Sequence, residues 1–443
     1  MTAIIFFVAL SLLGYALVQR RLSTTIITGP IVFVLLGVLA SSDVLGIIGV
    51  DSSDAIVGIV DVLFQGTLAL VLFTDASALN ITSWRKDADL PVRLLGIGLP
   101  LTIAFGAVMA AVLFTNLNFW EAAMIGAMIA PTDAALGAVV ISNPRVPERI
   151  RQALDIESGL NDGVSLPFLL IFMAMASQSE GTGVIETFVS AIGIAVLVGI
   201  VVGAGGAWLL VRAFRARWIG VAWSSIAVVA IAIIAFVGAN PIGGSGFIAA
   251  FVAGLAFGAM THDKITPPEV LAADTGLALV QVSFLMFGSL VLLPALGDVT
   301  WQVIVMVILA LTVARMIPVA IAMIGTGLAM PSILYMGWFG PRGLATVVYG
   351  ALVVTGSQLE GISTITTVAM VTVGVSVFAH GMTAYPGSQK YAHWYEAQDH
   401  DSLVEAKPVH HSIRARLRRQ ADSADTVVDT LTETNPGSGQ AST

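Results

Sequence analysis

Four oxygen-bearing side chains lie within one short run of an otherwise apolar stretch: Glu157, Ser158, Asn161 and Asp162. Residues four apart are neighbours on a helix surface, so Glu157 lies beside Asn161, and Ser158 beside Asp162, in a single polar stripe. Hard cations are bound through oxygen ligands, and a carboxylate also binds protons. A cation and a proton can therefore compete for one group here, which is the minimum that their exchange requires.

A polar clamp that only holds helices together is the alternative interpretation of this stripe. Ser158 and Asn161 by themselves suit either interpretation. Two carboxylates inside a membrane favour the chemical one, because a charged side chain placed there without a function is costly.

Two further apolar segments are interrupted by proline and glycine. One contains Ala130-Pro131-Thr132-Asp133, and the other contains Gly340-Pro341-Arg342-Gly343. Proline removes a backbone donor and disrupts the preceding turn, and a broken helix at membrane depth frees carbonyls and dipole ends that can face an ion. For the first segment, an ordinary proline kink capped by Asp133 is the alternative.

Two basic residues, Arg315 and Arg342, fall well inside apolar segments. Placing a charge in mid-membrane costs from about 3 to well above 10 kcal/mol, so each needs a partner or a wet cavity. We expect Arg315 to pair with Glu157, which would leave Asp162 free to titrate. A snorkelling side chain at the lipid surface is the alternative for Arg315.

These residues need a membrane scaffold to position them, and the composition supplies one. The chain has 443 residues, of which 57% are hydrophobic and 11% charged, whereas soluble domains carry about 25% charged residues. The absence of cysteine excludes disulfides, thiolate metal sites and cysteine nucleophiles. Hydropathy predicts about thirteen spanning helices, at residues 2–19, 26–42, 55–75, 91–114, 120–141, 151–176, 184–211, 219–238, 240–259, 274–294, 301–324, 333–356 and 362–384.

The interrupted segments are the fifth and twelfth of these spans. They would occupy corresponding places if the chain were two six-helix repeats with one extra helix, and such pairs mark the midplane sites of transporters. We interpret residues 1–385 as one membrane domain. Residues 386–443 are polar and end in a low-complexity stretch, which predicts a largely disordered tail.

The distribution of basic residues predicts the orientation of the chain, since positive charges favour the cytoplasmic side. The even-numbered loops between predicted spans have no Lys or Arg. The odd-numbered loops and their flanks carry Arg20, Arg21, Arg85, Lys86, Arg93, Arg145, Arg149, Arg151, Arg212, Arg215, Arg217 and Lys264. This alternation places the N-terminus outside and the tail in the cytoplasm of a multi-pass protein of the cell membrane.

Taken in order, the motifs resemble the first monovalent cation:proton antiporter family, which includes prokaryotic Na+/H+ antiporters and the sodium/hydrogen exchangers. The resemblance covers about residues 1–385. It rests on Leu72-Phe73-Thr74-Asp75-Ala76-Ser77, Ala130-Pro131-Thr132-Asp133, Glu157-Ser158-Gly159-Leu160-Asn161-Asp162-Gly163, Ser245-Gly246-Phe247, Phe251-Val252-Ala253-Gly254 and Gly340-Pro341-Arg342-Gly343.

The resemblance implies two six-helix inverted repeats, a crossed pair of unwound helices in segments 5 and 12, a homodimer, and Na+ and H+ as substrates. It implies that Asp162 is the exchanging carboxylate. Its cation ligands would be Glu157, Ser158 and the Thr132 carbonyl, with Asp133 acting through water. Asn161, Arg315 as the partner of Glu157, and Arg342 would support the site.

Two details of the resemblance bear on mechanism. The Asn161-Asp162 pair is similar to that of members that exchange one cation for one proton without net charge movement. Pro341 stands where many relatives have leucine. No resident cofactor and no nucleic-acid partner is expected; the surroundings are membrane lipid.

Three other functions are alternatives. The motifs do not distinguish Na+ from K+, so a K+/H+ or mixed antiporter is the main alternative. Gly243-Gly244-Ser245-Gly246 with His380 resembles the serine site of rhomboid proteases, but that reading leaves Glu157, Asp162 and Arg315 unexplained. An ion channel would have no need for a carboxylate at which protons compete.

Overall fold

The described part of the chain is a bundle of helices. The computed structural model describes residues 2–22, 24–49, 54–79, 88–177, 184–261, 269–356, 359–400 and 403–407. Within these ranges the regular structure is helical, apart from an isolated β-bridge between Ser41 and Ile48. The predicted all-α membrane fold is confirmed.

The helices are numbered here in chain order. They are α1 Thr2–Leu22, α2 Gly29–Ala40, α3 Asp54–Ser77, α4 Asp89–Leu113, α5 Phe119–Ile129, α6 Ala138–Ser142, α7 Glu148–Ala176, α8 Val184–Arg215, α9 Val221–Ala239, α10 Gly246–Thr261, α11 Glu269–Met286 with its continuation to Gly297, α12 Trp301–Leu311, α13 Val313–Ala322, α14 Met330–Trp338, α15 Leu344–Gly356 and α16 Ile362–Glu396. Both α4 and α11 contain a π-helical turn, at Leu94–Gly98 and Phe287–Leu292.

Nine helical stretches in the described residues are long and apolar enough to cross a membrane, with α12 and α13 together forming one of them. Four shorter apolar helices, α2, α5, α10 and α15, accompany them. The count of thirteen spans stays a prediction, because length and composition alone do not show which short helices cross. Large apolar side chains such as Phe6, Leu17 and Val112 point outward, as expected of a surface that faces lipid.

Close backbone contact between α10 and α3 fixes the wall of the bundle beside the oxygen-rich helix. Gly254 lies against the Phe73 carbonyl, and Gly258 lies against the Ser77 carbonyl. A Cβ atom at either glycine would overlap these backbone atoms. Small residues at helix interfaces allow this approach in membranes, and here they hold the α3 residues Thr74 and Asp75 next to α7.

The two interrupted segments meet where each helix is broken. The chain leaves α5 at Ile129 and becomes helical again at Ala138, while α14 ends at Trp338 and α15 begins at Leu344. Between the breaks, the Asp133 backbone N–H donates to the Pro341 carbonyl at 2.8 Å. Freed backbone groups of one segment are therefore satisfied by the other, as burial at membrane depth requires.

The last long helix, α16, extends further along the chain than the predicted span 362–384. The predicted boundary at residue 385 falls inside α16, which continues through Pro386 to Glu396. This extension is polar but packed: Ser388 is buried and shares a hydrogen bond with the Tyr335 hydroxyl at 2.8 Å. A hydropathy profile detects where an apolar run ends, but it does not detect hydrogen bonds between buried polar side chains. Residues 408–443, on which the prediction of a disordered tail mainly rests, lie outside the described residues.

Candidate functional site

The oxygen-rich stripe lies in the buried middle of α7. Glu157 and Asn161 are each 1% exposed, Ser158 is 6% exposed and Asp162 is 8% exposed. All four lie on one uninterrupted helix, as the sequence predicts. Their different contacts assign them different roles.

Glu157 is engaged by the buried Arg315 of α13. Two hydrogen bonds join the guanidinium to the carboxylate. Nη2 donates to Oε2 at 2.8 Å, and Nη1 donates to Oε1. Nη2 also reaches the Met336 carbonyl of α14, at 3.4 Å. Arg315 is 2% exposed, so the alternative of a snorkelling side chain is wrong. A bidentate pair of this kind satisfies both charges inside the bundle.

Thr132, from the first break, contacts the stripe through its side chain. The Asn161 amide donates to the Thr132 Oγ1 atom at 2.5 Å, and the Ser158 hydroxyl lies 3.1 Å from the same atom. Asn161 therefore ties α7 to the unwound segment, which agrees with a supporting role. Its Oδ1 atom is buried without a hydrogen-bond partner among the described residues.

Asp162 stands apart from these contacts. Its Oδ1 atom is buried, and no described residue forms a hydrogen bond with it. The Asp162 backbone carbonyl is instead bound by Tyr349, whose hydroxyl donates to it at 2.6 Å. The helix is thus held firmly at this position while the carboxylate is left available for another species.

Asp133 is a cap for the crossing segments. Its Oδ1 atom accepts the Ala135 and Leu136 backbone N–H groups at 2.7 and 3.1 Å, and its Oδ2 atom accepts the Leu344 N–H at 3.0 Å. The structure therefore shows Asp133 in the capping role that the sequence offered as the alternative. Gly343 lies directly against the carboxylate, with no room for a Cβ atom.

Arg342 lies at the second break and joins it to the C-terminal end of α5. Its Nη1 atom donates to the Ala130 and Pro131 carbonyls at 2.7 and 3.1 Å, and its backbone N–H donates to the Ser376 hydroxyl at 2.6 Å. The side chain is 0% exposed. A cation is favourable beside carbonyls that end a helix, so Arg342 supports the crossing and does not contact the stripe.

A cavity of about 380 Å³ opens onto Asp162. Its oxygen-bearing lining residues are Thr74, Asp75, Asp133, Ser158, Asp162 and Asp274, and the remaining lining is aliphatic or glycine. Glu157 and Arg315 are not among the lining residues. Among the described lining residues, a cation that enters this cavity meets acids and no basic side chain.

Comparison with known proteins agrees with this geometry. The family model described as "Sodium/hydrogen exchanger, transmembrane" matches residues 7–387. The chain belongs to the sodium/hydrogen exchanger family. Its fold is also that of a solved relative: the sodium proton antiporter MjNhaP1 from Methanocaldococcus jannaschii superimposes with a TM-score of 0.70, at 19% identity, over 88% of this chain and 98% of that one.

Curated relatives in the family match only part of their length. The K(+)/H(+) antiporter NhaP2 of Shewanella oneidensis is 27% identical over 52% of this chain and 39% of its own. The K(+)/H(+) antiporter NhaP of Alkalimonas amylolytica is 24% identical over 75% of this chain and 56% of its own. The chain thus spans about two fifths to three fifths of the length of these relatives.

Membership in this family of multi-pass membrane antiporters removes the protease alternative. The structure gives His380 a different role as well. Its Nδ1 atom lies 3.0 Å from the Ser376 hydroxyl, and its ring packs on Trp338 beside the second break. Ser245 precedes α10, where it begins a close-packed turn with Gly246.

Several residues of the site were not predicted as such from the sequence. Asp75 lies against Gly159 of the site helix, and its position in an apolar segment, where acids are rare, was a usable signal. Tyr349 and Ser165, which lie 3.1 Å apart beside the Asp162 carbonyl, carried no signal. The sequence around a tyrosine or serine in an apolar helix does not show which backbone atom its hydroxyl will contact.

Proposed function

We propose that the chain is a secondary antiporter that exchanges Na+ or Li+ for H+ across the membrane, with both ions competing for Asp162. One observation carries the proposal: at a cavity, Asp162 presents a buried carboxylate oxygen that has no hydrogen-bond partner among the described residues, while the neighbouring Glu157 is bound by Arg315. A buried carboxylate without a partner is costly when charged. Binding either a cation or a proton removes that cost.

Oxygen atoms that could bind a partly dehydrated cation line the same cavity as Asp162. We propose Ser158, Glu157 and the Thr132 carbonyl as further ligands, with Asp133 acting through a water molecule. Ser158 and Asp133 line the same cavity as Asp162, which supports their access to the ion. Hard oxygen ligands of this kind suit Na+.

The proposed mechanism is alternating access with a stoichiometry of one to one. Deprotonated Asp162 binds the cation from one side, a movement of the bundle exposes the site to the other side, and a proton replaces the ion. The empty, charged site would be costly to carry through the membrane, which couples the two fluxes. Asn161, in place of a second acid, is the reason to expect no net charge movement.

A K+/H+ or mixed antiporter is the second candidate. The Shewanella and Alkalimonas relatives are both named as K(+)/H(+) antiporters, whereas the superimposable archaeal structure is named as a sodium proton antiporter. The proposed oxygen ligands accept either cation. The experiment therefore has to compare them directly.

Orientation and assembly are parts of the same proposal. Contacts between Arg149 and Asp89, between Arg93 and the Ile324 carbonyl, and between Arg145 and Glu396 gather three odd-numbered loops and the end of α16 at one end of the bundle. We propose that this basic end is cytoplasmic. We also propose a homodimer, as the family resemblance implies.

The decisive test measures cation-induced proton movement in proteoliposomes, with Na+, Li+ and K+ added separately over a pH series. Asp162→Asn should abolish exchange of every cation, because the neutral amide does not titrate and cannot alternate between a cation and a proton. Asp61→Asn is the matched control. Asp61 lies on α3, outside the cavity, and accepts a hydrogen bond from Gln65 at 2.7 Å, so its variant should retain exchange.

Exchange that persists in Asp162→Asn would refute the assignment of this residue. The relative half-saturating concentrations of the three ions decide between the two candidate functions. A response to K+ at concentrations equal to or below those for Na+ would favour the second candidate.

A further inference from the structure

A short segment beyond the last membrane helix packs back onto the bundle. Residues 403–407 form a single 3-10 turn at Val404–Ala406, in a part of the chain that hydropathy assigns to the tail. Its acidic residue, Glu405, is 1% exposed. A carboxylate buried this deeply in a polar tail calls for a specific partner.

The partner of Glu405 is the N-terminal end of α14. Its Oε1 atom accepts the Ala329 backbone N–H at 2.8 Å and the Ser332 hydroxyl at 2.6 Å. The first amides of a helix lack intrahelical acceptors, and Ala329 has no side chain that could cap them. Glu405 supplies the missing cap from 76 residues away, and a negative charge is favourable at this end of a helix.

The other end of α14 reaches the ion pair of the exchange site. The Met336 carbonyl accepts a hydrogen bond from Arg315 at 3.4 Å, and Gly340 in the following break lies against the same guanidinium. Met336 lies seven positions after Ala329, which corresponds to about 10 Å along a helix. α14 therefore connects the Glu405 carboxylate, which contacts its N-terminal end, to Arg315, which contacts its C-terminal part.

The same segment also holds the helix that carries Asp162. The Val404 carbonyl accepts a hydrogen bond from Arg149 at 3.0 Å, and Arg149 lies in the first turn of α7. The Val404 side chain packs against the apolar cluster that includes Leu328 and Val319. The segment thus fastens together the ends of α7 and α14. Further along these helices, Glu157 of α7 is bound by Arg315 of α13, which also donates to the Met336 carbonyl of α14.

We propose that Glu405 is a positioning residue for the exchange site. By capping α14, it fixes the position of the Met336 carbonyl and of the second break against Arg315, and so determines how fully Arg315 occupies Glu157. Loosening α14 would let Arg315 shift on Glu157 and would change the oxygen ligands offered to the cation beside Asp162. The inference rests on the function proposed above.

The test compares full-length variants in the proteoliposome assay, measuring half-saturating Na+ concentration, maximal rate and thermal stability. Glu405→Ala removes the cap and should raise the half-saturating concentration about fivefold, the size expected from a lost helix cap. Glu405→Gln keeps an acceptor oxygen for both hydrogen bonds and should stay within about twofold of the wild type. Lys407→Ala, at an exposed position of the same segment, is the control and should match the wild type.

Ser332→Ala provides a second route to the same contact if Glu405→Ala does not fold. It removes one of the two hydrogen bonds and should raise the half-saturating concentration in the same direction by a smaller factor. If the Glu405 contact served only to stabilise the fold, these variants would have lower thermal stability and an unchanged half-saturating concentration. That result would overturn the inference. A wild-type protein without exchange would instead refute the proposed function itself.

Discussion

At the scale of single residues, the site depends on two carboxylates one turn apart that meet opposite environments. Glu157 is bound by a buried guanidinium, and Asp162 keeps an oxygen without a partner among the described residues. In the function proposed above, Arg315 balances the charge of Glu157, and the reversible binding of cation and proton falls to Asp162. Arg315 is then as necessary to this division of roles as either acid.

Arg315→Ala should therefore unfold more readily as well as lose exchange. Removing one partner of a buried ion pair costs about 3–5 kcal/mol, because the remaining charge is left uncompensated. The measurement is a thermal unfolding curve in detergent, with Arg93→Ala as the control. Arg93 pairs with Asp89 at a half-exposed position, where a salt bridge contributes about 0–1 kcal/mol.

An Arg315→Ala protein as stable as Arg93→Ala would contradict a structural role for the pair. Partial recovery of stability in the double variant Glu157→Gln with Arg315→Ala would support it, since the uncompensated charge is then removed.

At the scale of helices, the two breaks act as one unit. Asp133 of the first break caps the start of α15, and Arg342 of the second break closes the end of α5. Each broken helix is completed by the other, so neither could be changed without disturbing its partner. This crossing brings Thr132 to the stripe on α7.

Gly343→Ala should disrupt the crossing. A Cβ atom at this position overlaps the Asp133 carboxylate, and such overpacking costs about 1–3 kcal/mol. We expect a lower unfolding temperature together with loss of exchange. Gly205→Ala on α8 is the matched control, because its Cβ atom would meet nothing within 4 Å. Wild-type exchange in Gly343→Ala would show that Asp133 need not hold this geometry.

At the scale of the whole molecule, transport depends on moving an ion site through a bundle whose outer surface faces lipid. Only a neutralised site crosses a low-dielectric region at low cost. With Asn161 beside Asp162, the site proposed above has one exchangeable charge. The proposed exchange of one proton for each monovalent cation then moves no net charge.

Wild-type exchange should accordingly be insensitive to membrane potential. The measurement is the initial rate in proteoliposomes with a potential imposed by a thiocyanate gradient, which avoids a K+ gradient if K+ is itself a substrate. A protonophore is the control, since it must abolish the pH signal. A rate that rises or falls with the sign of the potential would contradict one-to-one exchange.

The sequence by itself determined the membrane class and the family, and it showed most of the oxygen-bearing side chains of the candidate site. Apolar run lengths are a local property that reflects bilayer thickness, and the Glu157–Asp162 run, the Pro131 and Pro341 breaks and Arg315 are all visible without a structure. The pairing of Arg315 with Glu157 was also predictable, because few charges lie at membrane depth and each needs a partner.

Only the tertiary structure decided which groups share a contact when hydropathy gives no signal. It placed Arg342 on backbone carbonyls, Tyr349 on the Asp162 carbonyl and Glu405 at the start of α14. It also continued α16 past residue 385 to Glu396. These contacts join residues from distant parts of the chain through single hydrogen bonds to backbone atoms, and no local pattern of residue types encodes them.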